Sequence, residues 1–125
     1  MSSLTCKQVR TIPQGGVEPI YLDWGENTAG AKTGALAAGD TVSSCTVAVD
    51  TKPSTDVPTF GSVTVPANAS SDTINGRAWS TGEATLVTVT AASTLTKGQY
   101  TLKFTATTTN SFTLVRYVVL IVSGA

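Results

Sequence analysis

Histidine is absent from this chain of 125 residues, and that absence removes the commonest general base and metal ligand together. Charge is scarce as well: 13% of residues are charged, eight basic against eight acidic, with a net charge of zero. No run of Lys or Arg supplies the footprint that nucleic acid or an anionic membrane requires, so neither is expected as a partner. Cysteine occurs twice, at Cys6 and Cys45, with no CxxC spacing and no histidine beside it, which argues against a zinc site. A secreted chain would be able to join the two thiols; the simpler reading is two reduced cysteines, Cys45 serving as a small strand hydrophobe. Long apolar runs are missing too. Met1 to Arg10 lacks the apolar centre of a secretion signal, and the longest strongly apolar stretch, Tyr117 to Val122, has strand length. The expectation is a chain made and kept soluble in the cytosol.

The usual catalytic arrangements are also lacking. Serines are plentiful, but none lies in a GxSxG elbow and no histidine is present to activate one. Asp23 and Glu26 are the nearest carboxylate pair, at a strand end and in a loop, with nothing evident to fix their separation for glycosidase chemistry. Gly30, Gly34 and Gly39 lack the spacing and the following helix of a phosphate cradle. Asp40, Asp50 and Asp56 are loop oxygens that calcium would accept, but no loop concentrates enough of them. The sequence therefore implies no catalytic residue, no cofactor and no metal.

What is present is apolar material in a strand rhythm. Hydrophobic residues make up 41% of the chain, enough to offset the entropy of ordering a single domain of this length. Much of the polarity comes from Thr and Ser, and Thr suits the exposed face of a sheet. Residues 1–18 read as an extended arm broken by Pro13-Gln14-Gly15-Gly16, either wrapping a neighbouring subunit or forming a loose terminus. Residues 19–125 read as the folded domain. Within it, strands are predicted over Ile20 to Trp24, Thr41 to Val49, Phe60 to Val65, Thr73 to Ser80 and Thr85 to Ala91. Asn75-Gly76 inside the fourth of these also fits a hairpin turn. Gly25 to Gly39 and Asp50 to Pro58 read as loops.

The last third alternates most clearly. Tyr100, Leu102, Phe104 and Ala106 share one face, opposite Thr101, Lys103, Thr105 and Thr107; Thr108 to Ser111 turns the chain, and Phe112 to Val122 closes the domain. About seven antiparallel strands with no convincing helix predict an all-β, immunoglobulin-like sandwich with an extended N-terminal arm. In the closing strand, Val115, Tyr117, Val119 and Ile121 are expected in the core. Phe112, Leu114, Arg116, Val118 and Leu120 then form a second face with one polar member. Such a face is covered within the domain or meets another subunit, and these five residues are the candidate interface.

Trp24 and Trp79 fit two roles: filling the core, or stacking on sugar rings as in a carbohydrate-binding module. The core reading is preferred for both. Asn68-Ala69-Ser70 fits a glycosylation acceptor and, without a secretion signal, is more simply a turn.

Two resemblances follow from short motifs. Leu95 followed by Gly98-Gln99-Tyr100-Thr101-Leu102 resembles the approach to the sixth strand of immunoglobulin-like domains, which implies a corner tyrosine at Tyr100, ring packed and hydroxyl bonded to backbone. Tyr21-Leu22-Asp23-Trp24, then Gly39-Asp40-Thr41-Val42-Ser43-Ser44, then the Gly-Gln-Tyr-Thr-Leu strand, is similar to a family of small tailed-bacteriophage virion proteins of the fibre-to-tail adaptor or head-and-neck type. That resemblance covers most of residues 19–123. It departs from the family in a longer loop, Gly25 to Ala38, and in an arm without an acidic-proline start. It implies a non-enzymatic virion component, assembled in the host bacterial cytoplasm, whose partners are capsid, neck, tail or fibre subunits, with homo-oligomerisation as a further option. A capsid decoration protein is the alternative within that class.

Overall fold

A computed structural model describes residues 8–24, 27–28, 31–32, 36, 40–65 and 82–124. The chain is all-β: the described residues contain no helix and form nine strands, β1 (Gln8–Pro13), β2 (Val17–Asp23), β3 (Asn27–Thr28), β4 (Ala31–Lys32), β5 (Val42–Thr51), β6 (Thr59–Phe60), β7 (Ala84–Thr90), β8 (Gly98–Thr108) and β9 (Thr113–Ser123). Two main sheets pack as a sandwich, one ordered β1-β9-β8-β5 and the other β2-β7-β6; β3 and β4 form a small separate hairpin. The expected fourth strand, Thr73 to Ser80, lies outside the described residues, as do Cys6, Glu26, Asn68-Ala69-Ser70, Trp79 and most of the Gly25 to Ala38 loop.

The core lies between the two sheets and follows the period-two rule. From β8 come Tyr100, Leu102, Phe104 and Ala106; from β7, Val87 and Val89; from β2, Ile20 and Leu22, all at most 2% exposed. Each fully buried Val, Leu, Ile or Phe contributes about 1.5–3 kcal/mol relative to exposure. The third expected strand shortens to β6, after which the chain stays against β7 through the Gly61 N–H to Thr88 carbonyl bond (2.9 Å) and an isolated Thr64–Leu86 bridge.

Two expectations are corrected here. Residues 1–18 are not wholly an arm, because residues 8–13 form β1, paired parallel with β9 from Gln8↔Val118 to Pro13↔Ser123. Ile12 is 1% exposed, so this strand belongs to the core. The cause is the edge of β9: its backbone needs a partner, and β1 alternates Val9 and Thr11 outward against Arg10 and Ile12 inward. The sheet is therefore not purely antiparallel. Pro13 to Gly16 then carries the chain from one sheet to the other. Gln14 N–H donates to the Ser123 carbonyl (2.9 Å) on β9, and Gly15 N–H donates to the Ala91 carbonyl (2.7 Å) just beyond β7. Gly15 sits at φ +82°, where a glycine is favoured.

The second correction concerns β9. Val118 and Leu120 are 0% and 1% exposed and lie in the core with Val122, whereas Val115, Tyr117 and Ile121 are 45%, 37% and 36% exposed. The faces are exchanged relative to the sequence reading. The β8–β9 register explains why: Tyr100 opposes Leu120, Leu102 opposes Val118 and Phe104 opposes Arg116. Directly opposed residues in an antiparallel pair share a face, so the core face of β8 dictates that of β9.

Candidate interface on the outer face of the four-stranded sheet

Of the five residues expected to form an interface, the structure keeps few at the surface. Phe112 is 58% exposed beside the hairpin turn. Leu114 is half-buried against the core, and Val118 and Leu120 are inside it. Arg116 points to the core side at the end of the sandwich, its guanidinium carbon 5.9 Å from the centre of the Trp24 ring. A guanidinium over an aromatic face gains cation–π attraction while its stem covers apolar surface, which explains a cation on the inner face.

The exposed face of the sheet is instead built by the opposite parity. Thr105 opposes Val115, Lys103 opposes Tyr117, Thr101 opposes Val119 and Gln99 opposes Ile121. On the flank, Val9 is 56% exposed next to Val119 in the β1–β9 register. β5 extends the surface with Thr46 and Ala48, opposite Thr105 and Lys103. The result is a row of Val, Tyr and Ile side chains on β9 and β1, bordered by threonines on β8. Its span follows from strand spacing and rise: four strands about 4.8 Å apart and about nine residues long cover roughly 600 Å². That approaches the roughly 800 Å² each partner contributes to a standard interface.

The loops at the ends of this sheet are tied by polar side chains. Tyr100, fully buried, donates its hydroxyl to the Thr96 carbonyl at 2.5 Å, the corner arrangement expected from its motif. Asp56 Oδ2 accepts from Thr96 N–H (2.8 Å) and Thr96 Oγ1 (3.0 Å), and these bonds hold its carboxyl below the usual range. Burial, then the Asp56 charge, pushes the Tyr100 hydroxyl up. At the other end, Asp40 Oδ1 accepts from Thr41 N–H (2.9 Å) and Asn110 N–H (3.1 Å), joining the start of β5 to the β8–β9 turn. Both carboxylates serve as loop clamps, and among the described residues no group of three or more Cys, Asp or Glu could hold a metal.

Trp24 is fully buried, and its indole N–H donates to Thr85 Oγ1 at 3.1 Å, so it fills the core and offers no ring to a sugar. Cys45 is a free, half-buried thiol on the inner side of β5, raised to about 11 by burial despite a hydrogen bond with Thr85. Sequence reasoning placed Val9 in the arm and missed Val115, Tyr117 and Ile121 as surface residues. Only the hairpin register separates them from Val118 and Leu120. Among the described residues, no helix is long and apolar enough to cross a membrane. Neither a protein-family model nor a curated protein matches the chain.

Proposed function

We propose that this chain is a non-enzymatic assembly module with an immunoglobulin-like sandwich, docking on other protein through the outer face of its four-stranded sheet. The observation that carries the reading is that face itself: Val9, Val115, Tyr117 and Ile121 stand exposed side by side on paired strands. A sheet with one wet face alternates polar with apolar, and β9 does not; a contiguous apolar surface of this kind marks an interaction site.

The strand order supports the immunoglobulin-like reading. β2-β7-β6 and β5-β8-β9 run in the orders of the B-E-D and C-F-G sheets, with β1 lying on the free side of the last strand. Tyr100 at the start of β8, bonded to backbone four residues upstream, matches the corner tyrosine of the sixth strand. The motif resemblance to tailed-phage proteins then favours a virion component, a fibre, tail or neck adaptor, with a capsid decoration protein as the alternative. Burial of Trp24 weighs against a carbohydrate-binding module.

The test is a Tyr117→Asp, Ile121→Asp double variant, with exposed side chains chosen so that folding survives. Its thermal melt should stay within a few degrees of wild type while incorporation into assembled particles is lost. A folded double variant that incorporates normally refutes the docking face. Counting copies per particle separates the two virion roles: a small ring for an adaptor, a number matching the shell lattice for a decoration protein.

A further inference from the structure

The four-stranded sheet ends on β5, and among the described residues nothing pairs with the outer edge of that strand. Which groups the edge offers follows from the neighbouring hairpin. Thr108 N–H donates to the Phe112 carbonyl (2.8 Å), so Thr108 turns its backbone toward β9. Alternation along β8 then points the backbone of Thr107, Thr105 and Lys103 at β5, opposite Ser44, Thr46 and Ala48. Cys45, Val47 and Val49 therefore direct their N–H and C=O groups away from β8, to the open edge. Their side chains are under-covered too. Each is half-buried, whereas the β8 residues opposite them, Ala106, Phe104 and Leu102, are at most 1% exposed. The means that blunt most sheet edges are missing between the two register shifts of β5: Ser44 to Val49 holds no Pro and no charge.

We infer that β5 pairs antiparallel with β5 of a second copy of this chain, about a twofold axis at Val47, joining the two sheets edge to edge. One register uses all three edge-facing residues. Val47 meets its counterpart, and Cys45 of each copy meets Val49 of the other, each pair exchanging both backbone bonds. Thr46 then opposes Ala48 and Asp50 opposes Ser44, so no like charges face each other across the pair. A foreign strand has to be matched to this edge; a second copy matches it by symmetry, because the edge-facing set is centred on Val47. The half-buried Cys45, Val47 and Val49 side chains of both copies meet in one seam and cover one another. The axis stands normal to the sheet, so both outer faces lie on the same side. Two faces of roughly 600 Å² become one of roughly 1,200 Å², beyond the roughly 800 Å² that a standard interface asks of each partner. The edge pairing itself does not depend on that docking face.

Sedimentation of the full chain under reducing conditions should show a monomer–dimer equilibrium with a dissociation constant of about 10–100 µM, as suits a contact of one strand edge from each copy. Thr46→Glu with Ala48→Glu, both at exposed positions, sets like charges opposite one another across the pair and should weaken the dimer at least tenfold. Val47→Pro should do the same, since it removes an N–H that points away from β8, where an edge strand tolerates proline. Tyr117→Asp with Ile121→Asp should leave the dimer within twofold, which separates the edge from the docking face. A cross-link reads the register. In a Cys6→Ser, Cys45→Ala background, an oxidised mixture of Thr46→Cys and Ala48→Cys chains should form far more covalent dimer than either variant alone. A wild type that stays monomeric at about 1 mM overturns the pairing. So does a dimer that survives both edge variants, or one that is lost only with the outer-face variant.

Discussion

Val115 and Val118 are the same residue on the same strand, three positions apart, and the structure assigns them opposite fates. Val118 is fully buried between the sheets, whereas Val115 is 45% exposed. Changing each to Ala removes the same two methyl groups, so differences in chemistry cancel and burial alone is compared. At Val118 the lost transfer energy, about 0.8 kcal/mol per carbon, adds to the cost of an unfilled space and totals about 2–3 kcal/mol. At Val115 little cavity forms, and the penalty is the weaker strand preference of Ala, about 0.5 kcal/mol. The gap of roughly 2 kcal/mol equals about 1 M in urea midpoint if the slope is about 2 kcal/mol/M. It also corresponds to roughly 8 °C in melting temperature. Urea titration followed by far-UV circular dichroism measures this, with equal slopes as the check that only stability changed. Equal costs, or a larger cost at Val115, would refute the β8–β9 register, since a slip of one residue exchanges every inner and outer side chain.

Two further outcomes follow from the titrating groups. The Asp56 carboxyl is depressed in the folded state by its bonds from Thr96, so its stabilising contribution is present above the ordinary value of 3.8 and is lost as pH falls through the lower folded value. Melting temperature should drop on acidification below about pH 4, and Asp56→Asn should flatten that drop; an unchanged acid profile in the variant removes Asp56 from the account. Cys45, raised from 9.0 to about 11, carries about a hundredfold less thiolate at neutral pH than an unperturbed thiol. In a Cys6→Ser background, iodoacetamide should therefore modify the folded chain far more slowly than the urea-unfolded chain, and equal rates would show that burial does not protect the thiol.

Much of the architecture is legible in the residues because strand periodicity is local. Tyr100, Leu102, Phe104 and Ala106 alternate with Thr and Lys, and any pleated chain with that pattern buries the first set. The corner at Tyr100 is equally local: its partner carbonyl, Thr96, is four residues away. β1 was harder to read, since a six-residue segment with Arg10, two threonine-sized positions and a proline lacks the apolar weight of a central strand. It becomes a strand at the edge of the sheet because β9 has a side open to pairing.

Sequence by itself determined the all-β class, the inner face of β8 and the absence of histidine chemistry, each set by side chains within a few positions of one another. Only the tertiary structure decided which side of β9 is inside. Both of its faces are apolar, so its own pattern carries no preference, and the choice passes to the partner strand. Thr107 pairs with Thr113 across the turn, and from that single register Leu102 meets Val118 and Tyr100 meets Leu120 over the core. Val115, Tyr117 and Ile121 are turned outward as a consequence, to where another molecule can reach them.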